Sequence, residues 1–272
     1  LLLAMVGVLA SGVTGFYAYQ ASRSLLVQSA KAELLTTTRV LTRRITLSRE
    51  EVSRNLQLLA GHPAAALAAQ GRSLPDEDQM GTLMEQMMLA NPSYFQIRLI
   101  SASDNGLERV RVDRAEDRLV RVRGDDLQEK GHFSYVSSAL KLATGATFLS
   151  RLVINHERGA HAGLDQPSVI LATPVQDPQG KTVGVVVINL DLNGVFASLR
   201  ADLPKDYQLF LANRNGDYVV HPDPSQAFGF DKGRRVFVQE EFEATNALME
   251  GRASSVVTEV QTGKYANAPV VA

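Results

Sequence analysis

Between Glu108 and Lys130 the chain packs seven basic and seven acidic side chains into one short stretch. A guanidinium can hold a carboxylate through two parallel hydrogen bonds, so a segment this rich in arginine could grip a small organic anion. The period-two rule for extended chain puts Arg109, Arg111 and Asp113 on one face, with Arg118 across the following turn. Glu108 and Arg111 fall on opposite faces of an ideal strand and share one only if a bulge intervenes. Arg98, in step with Tyr94 and Gln96, and Arg151, close to Asn155, are further cations on expected strands. A carboxylate held by one such arginine could be oriented by the Tyr135 hydroxyl and covered by the Phe133 ring. Salt bridging among the same residues accounts for each of them equally well.

Other arrangements fall short of an enzymatic pattern. His156, Glu157 and His161 resemble a zinc-protease helix, but the second histidine is one residue too far along and Gly159 breaks the helix. His221 and Asp223 could share a metal, yet Pro222 and Pro224 hold them extended and no third ligand lies nearby in sequence. There is no nucleophile elbow, phosphate-binding loop or dinucleotide fingerprint.

The elements that must position these residues follow from periodicity. From Ala21 to Ala60 there is no Gly or Pro, and Leu34, Leu41, Ile45, Val52, Leu56 and Leu59 mark one helical face, ended by Gly61-His62-Pro63. An Ala-rich helix and another over Gln79–Leu89, capped by Asp76, come next. Strands are expected at Tyr94–Ser101, Leu107–Asp113, Leu119–Arg123, Phe148–Asn155, Val169–Val175 and Gly184–Leu190, with a helix over Leu127–Lys141. A spacing then recurs: Leu99, Ala102, Asn105, Gly106 and Val110 return as Leu209, Ala212, Asn215, Gly216 and Val220, each pair 110 residues apart. Both copies read as a hairpin around Asn-Gly, so a duplicated module is expected. Its second copy has a connecting helix over Leu192–Asp202, strands Tyr207–Ala212, Tyr218–His221 and Ser254–Val260, and a helix over Glu240–Glu250. Nothing follows to match the Asp177–Leu190 hairpin, so this copy reads as incomplete.

Composition narrows the class. The 28 basic and 29 acidic residues nearly cancel, which argues against a nucleic-acid partner, and the absence of cysteine excludes disulfides and thiol chemistry. Residues 1–22 carry no charge, and about 20 apolar residues span roughly 30 Å of hydrocarbon, so a membrane-crossing helix is expected over 1–20, with a cleaved signal peptide as the rival reading.

The order and spacing of several short motifs resemble the periplasmic double Cache, or tandem PAS-like, sensor domains of bacterial transmembrane receptors. They are Gly106-x-Glu108-x-x-Arg111, Leu127-Gln128-x-Lys130, Ser150-x-Leu152-x-x-Asn155-x-Glu157-x-Gly159, Pro174-Val175-x-Asp177-x-x-Gly180 and Asn189-x-Asp191. In the second copy Asn215-Gly216-Asp217-Tyr218, His221-Pro222-Asp223 and Phe228-Gly229 continue the likeness. Where members of that group have an arginine after the lysine, this chain has Phe133, although Tyr135 is kept. The resemblance implies an α+β chain: a transmembrane helix over 1–20, a long signalling helix over 21–60, a membrane-distal module over 61–191 and an incomplete membrane-proximal module over 192–272. Each module would be an antiparallel sheet with flanking helices.

Residues and resemblance together place a small-molecule site, for an organic acid or amino acid, at Arg98, Arg109, Arg111, Lys130, Phe133, Tyr135, Arg151 and Asn155. No catalysis, cofactor or metal is expected of this stretch. The implied parent is a sensor histidine kinase or diguanylate cyclase in the inner membrane, a homodimer with its modules in the periplasm. The competing reading is an ectodomain without a ligand that mediates dimerisation or binds a periplasmic protein.

Overall fold

The computed structural model describes residues 2–116, 118–155 and 166–272, with side chains from Met5 onward. The His156, Glu157 and His161 arrangement and the end of the Ser150–Gly159 motif lie outside the described residues. Helix α1 runs unbroken over Leu2–Ala60, joining the expected membrane span and signalling helix into one rod. Among the described residues no helix is long and apolar enough to cross a membrane, so the expected span is not found. Gly7, Ser11, Gly12, Thr14 and Gly15 dilute the apolar run. At its far end Gly61 donates back to the Gln57 carbonyl (2.9 Å), and Pro63, which has no N–H to give, can only start a new helix. His62 Nδ1 accepts from the Ala64 N–H (3.2 Å) and caps α2, Pro63–Ala69. Helix α3, Leu74–Ala90, begins five residues ahead of its expected start because the cap is Ser73, not Asp76: Ser73 Oγ accepts from the Asp76 N–H (3.3 Å).

Seven strands then form one antiparallel sheet: β1 (Tyr94–Ser101), β2 (Glu108–Ala115), β3 (Arg118–Val122), β4 (Phe148–Leu149), β5 (Val153–Ile154), β6 (Pro167–Gln176) and β7 (Thr182–Asp191). The order is β3-β2-β1-β7-β6-β4, with β5 also on β6. Alternation sorts the side chains. Ile97, Leu99, Val110, Val112, Leu171, Val186 and Ile188 face α1–α3, where Val52, Leu56, Ala65, Ala68, Met80, Met84 and Met88 complete the main core. On the opposite face Ile100, Ala172, Val185 and Val187 meet α4, Ser134–Ala139, through Tyr135, Val136 and Ala139. Helix α4 is much shorter than the expected Leu127–Lys141. Residues before it stay extended to pair with the hairpin, with Leu107 bridging Glu129 and Lys130 N–H donating to the Gly106 carbonyl (2.8 Å).

Helix α5, Asn193–Ala201, leads into the second half. There β8 (Leu211–Ala212) pairs with β9 (Tyr218–Val220), and β10 (Val257–Glu259) with β11 (Pro269–Val271), as two separate two-stranded sheets and not one larger sheet. Pro222 and Pro224 remove donors just beyond β9, which keeps that strand short. The expected helix over Glu240–Glu250 splits into α6 (Val238–Glu241) and α7 (Asn246–Met249). Val219, Val220 and Phe228 join the main core, whereas Tyr218, Val238 and Phe242 form a cluster of their own. The rod α1 touches both halves: its C-terminal residues lie in the main core, and Lys31 Nζ pairs with Glu259 on β10 (2.9 Å).

Candidate functional site

A bulge decides which charged residues meet. The β1–β2 register runs Arg98 opposite Arg111 and Leu99 opposite Val110, then jumps to Ile100 opposite Glu108, leaving Arg109 without a partner. One extra residue resets the side-chain alternation, so Glu108 and Arg111 emerge on the same face. Arg109 goes elsewhere: it ion-pairs with Asp104 and its guanidinium packs against Gly71, between α2 and α3. The period-two grouping of Arg109 with Arg111 and Asp113 is thereby corrected, and Arg109 is not part of the cluster on the α4 face.

The residues that do meet close into a ring of six buried side chains. Arg111 donates from Nε to Asp113 Oδ1 (2.9 Å) and from Nη2 to Oδ2 (2.7 Å), and Gln96 Nε2 donates to the same Asp113 Oδ1 (2.8 Å). Asn189 Nδ2 donates to Gln96 Oε1 (3.2 Å), and Arg98 Nη2 donates to Asn189 Oδ1 (3.0 Å). Glu108 completes the circuit, lying 3.6 Å from Arg98 Nη1 and 3.4 Å from Arg111 Nη1 while its Oε2 accepts from the Gln128 N–H (3.0 Å). All six are at most 3% exposed. Charges so deeply buried are tolerated only when paired and hydrogen-bonded. Burial alone would lower the Arg111 pKa, but the Asp113 and Glu108 carboxylates outweigh it and hold the guanidinium above its ordinary value.

An aromatic ladder lies over one corner of this ring. The Arg98 guanidinium sits 5.2 Å from the Tyr135 ring centroid, Tyr135 stacks on Phe133 (5.5 Å, 30°), and Lys130 Nζ lies 4.9 Å from the Phe133 centroid. Cations thus face both outer sides of the ring pair. The ladder is held at the start of α4 by a close crossing: a Cβ on Gly106, whose φ is 71°, would overlap the Gly131 backbone.

Of the eight sequence-derived candidates, Arg98, Arg111, Lys130, Phe133 and Tyr135 come together. Asn155 is buried at the end of β5, its N–H bonded to the Gln166 carbonyl (2.8 Å), and Arg151 is exposed in the break between β4 and β5. Four members of the ring, Gln96, Glu108, Asp113 and Asn189, were absent from that set. A polar Asn189 inside the apolar run Val185–Leu190 was the available signal, since nothing but a partner justifies an amide there. A groove of about 470 Å³ opens nearby, along Ser101, Gly106, Glu129, Gly131, His132 and Val136, and none of the six ring residues lines it. The other sequence pair, His221 and Asp223, is joined through the main chain, with the Asp223 N–H donating to His221 Nδ1 (2.9 Å).

No curated protein matches the chain. Solved structures share its fold. A domain of a sensory box/GGDEF family protein from Vibrio parahaemolyticus aligns with a TM-score of 0.72 at 16% identity, over 89% of this chain and 94% of that one. The periplasmic sensory domain of a Campylobacter jejuni chemoreceptor aligns at 0.63 and 15% identity, over 87% and 86%. The ligand-binding domain of another chemoreceptor from that organism, in complex with L-norvaline, aligns at 0.59 and 12% identity, over 86% and 83%. The family model described as the sensor domain of bacterial histidine kinases matches residues 28–242, and the chain belongs to that family.

Proposed function

We propose that the chain is the extracytoplasmic sensing region of a membrane-anchored receptor, with a small organic acid or amino acid bound against the ladder Lys130, Phe133, Tyr135 and Arg98. The carrying observation is the closed, buried polar ring beneath an aromatic pair bracketed by cations. Apolar residues would fill a sheet face at far lower desolvation cost, so a ring of this kind has its use in fixing the position of Arg98 and Tyr135. A ligand carboxylate meets positive charge at both ends of the ladder. The two hairpin-bearing halves would be tandem Cache modules, of which the first holds the ligand.

Signalling needs only differential affinity. A ligand preferring one of two conformations by about 1.4 kcal/mol shifts their ratio tenfold. Helix α1 is the natural conveyor, because it is seated in the core of the first half and ion-paired to β10 in the second, and in a homodimer it would pass the change to an anchor and a kinase or cyclase output domain.

A second reading keeps a specific observation: two arginines and two carboxylates in the ring cancel, so the ring is complete as pure architecture. That favours an ectodomain that responds to a protein partner. Thermal shift of the chain against organic acids, amino acids and amines separates the two. Stabilisation by one acid, weakened in Tyr135→Phe and in Arg98→Lys, supports the small-molecule reading; uniform indifference of a folded protein to the whole panel rejects it.

A further inference from the structure

The second hairpin carries its own cluster of ionisable side chains, built on the same scaffold and of opposite polarity. Val238 N–H donates to the Gly216 carbonyl (2.8 Å) as Lys130 N–H does to that of Gly106 (2.8 Å), and Asp217 bridges Phe237 as Leu107 bridges Glu129. Counting outward from those matched contacts, Tyr218 stands where Glu108 does, His221 where Arg111 does, and Glu241 where Phe133 does. The Arg111 position is thus taken by a histidine and the Glu108 position by a phenol, and the carboxylate enters instead at the Phe133 position. Tyr218 Oη donates to Glu241 Oε2 (2.7 Å), and His221 Nε2 lies 3.3 Å from the same oxygen. His221 Nδ1 meets the Asp223 main chain, 2.9 Å from its N–H and 3.1 Å from its carbonyl oxygen, which leaves Nε2 as the ring nitrogen facing Glu241. Burial, reinforced by the Glu241 carboxylate, raises the Tyr218 phenol far above its ordinary range, so it remains a donor.

Rings surround this carboxylate. Phe210 meets Tyr218, His221, Phe242 and Tyr265 at centroid distances of 5.0 to 5.9 Å, and Phe242 stacks on Tyr265 (5.5 Å, 29°). Glu241 retains 27% side-chain exposure, so one edge of the cluster opens to solvent. On that aromatic wall the chain has already placed an alkylammonium of its own: Lys264 Nζ lies 4.9 Å from the Tyr265 centroid. The Tyr265 oxygen, with the Glu241 and Asp223 carboxylates behind it, raises the Lys264 pKa above the usual lysine value. An aromatic face beside a carboxylate is the chemistry that holds organic ammonium ions.

We infer that the edge formed by Glu241, Tyr218, Tyr265 and Phe242 is a second binding site, selective for small organic amines in their ammonium form, with Lys264 as a tethered competitor. It takes a cation where the first cluster is arranged for an anion, and it stands independently of whether that first cluster binds a ligand.

Titration of the full chain with n-butylammonium chloride, followed through the Tyr ring signals in NMR, tests the site, with sodium chloride and sodium butyrate as controls. Saturable binding is expected with a dissociation constant on the order of 1 mM, weakened about tenfold in Glu241→Gln and tightened about threefold in Lys264→Ala. Absence of saturable binding in both the unaltered chain and Lys264→Ala overturns the inference, as does an equal response to sodium chloride. Should Glu241→Gln unfold, Lys264→Ala, which touches only an exposed side chain, decides alone: unchanged affinity in it rejects the tethered competitor and with it the site.

Discussion

The two Asn-Gly hairpins begin with the same sequence cue and bury opposite solutions. In the first, a bulge after Leu99 turns Glu108 inward to meet two arginines, and the charges end in a closed ring with no member more than 3% exposed. In the second, the register also slips, between Leu211 and Ala212, but the buried acid is Asp217, one residue after the glycine. Its partner Arg235 stays 49% exposed while donating through Nε (2.6 Å) and Nη2 (2.7 Å). The same turn therefore supports a desolvated network in one half and a half-solvated ion pair in the other. Screening by water is what separates them, and it orders the expected consequences of mutation.

Arg111→Ala should have the largest effect. It strips Asp113 of two hydrogen bonds and Glu108 of one cation inside a dry environment, at a cost of about 3–5 kcal/mol. Arg235→Ala, its counterpart, should lower the melting temperature by a small fraction of that drop, because water replaces the lost partner. Equal effects of the two in denaturant melts would break the contrast.

The glycines give the next test. Ala at either position must adopt a left-handed φ, 71° at Gly106 and 87° at Gly216, at about 1–2 kcal/mol each. At Gly106 the new Cβ also overlaps the backbone of Gly131, which cannot swing away, whereas at Gly216 it meets only the flexible end of Gln239. Gly106→Ala should therefore be clearly the more damaging, and chemical denaturation reads the difference.

Acid sharpens the comparison further. The Arg235 guanidinium, joined by the Asn213 amide, holds the Asp217 pKa below its ordinary value. A carboxyl lowered in the folded state contributes stability fully above its unfolded pKa, near 4, and loses it as pH falls through the folded value. Melting temperature should thus decline below about pH 4, and Asp217→Asn should flatten part of that decline. Tyr218→Phe, which removes one hydrogen bond to Glu241, should cost about 1 kcal/mol, read in the same denaturant melts.

Much of the framework was legible. Tyr94–Ser101 forms a strand with the expected bounds, and the β6–β7 pair widens the expected Val169–Val175 and Gly184–Leu190 by only one or two residues at each end, because apolar residues in extended register pair wherever a sheet is available. Helices were harder. Leu127–Lys141 has a helical pattern, yet backbone pairing of Glu129 and Lys130 with the hairpin outweighs it, and only Ser134–Ala139 winds up. The candidate site was half legible: arginine and tyrosine types identified Arg98, Arg111 and Tyr135, while Asn189 lies ninety-one residues from the guanidinium it serves.

What the sequence determined by itself was the period of each element, the position of the glycines and prolines that end them, and the crowding of opposite charges into one segment, since these depend on neighbours along the chain. The tertiary structure decided that Glu108 and Arg111 share a face while Arg109 leaves it, that Gln96 and Asn189 close the ring, and that Glu241 meets Tyr218 and His221. A single bulged residue reverses side-chain alternation, and its placement is chosen by the pairing energy of a whole sheet and not by any local propensity.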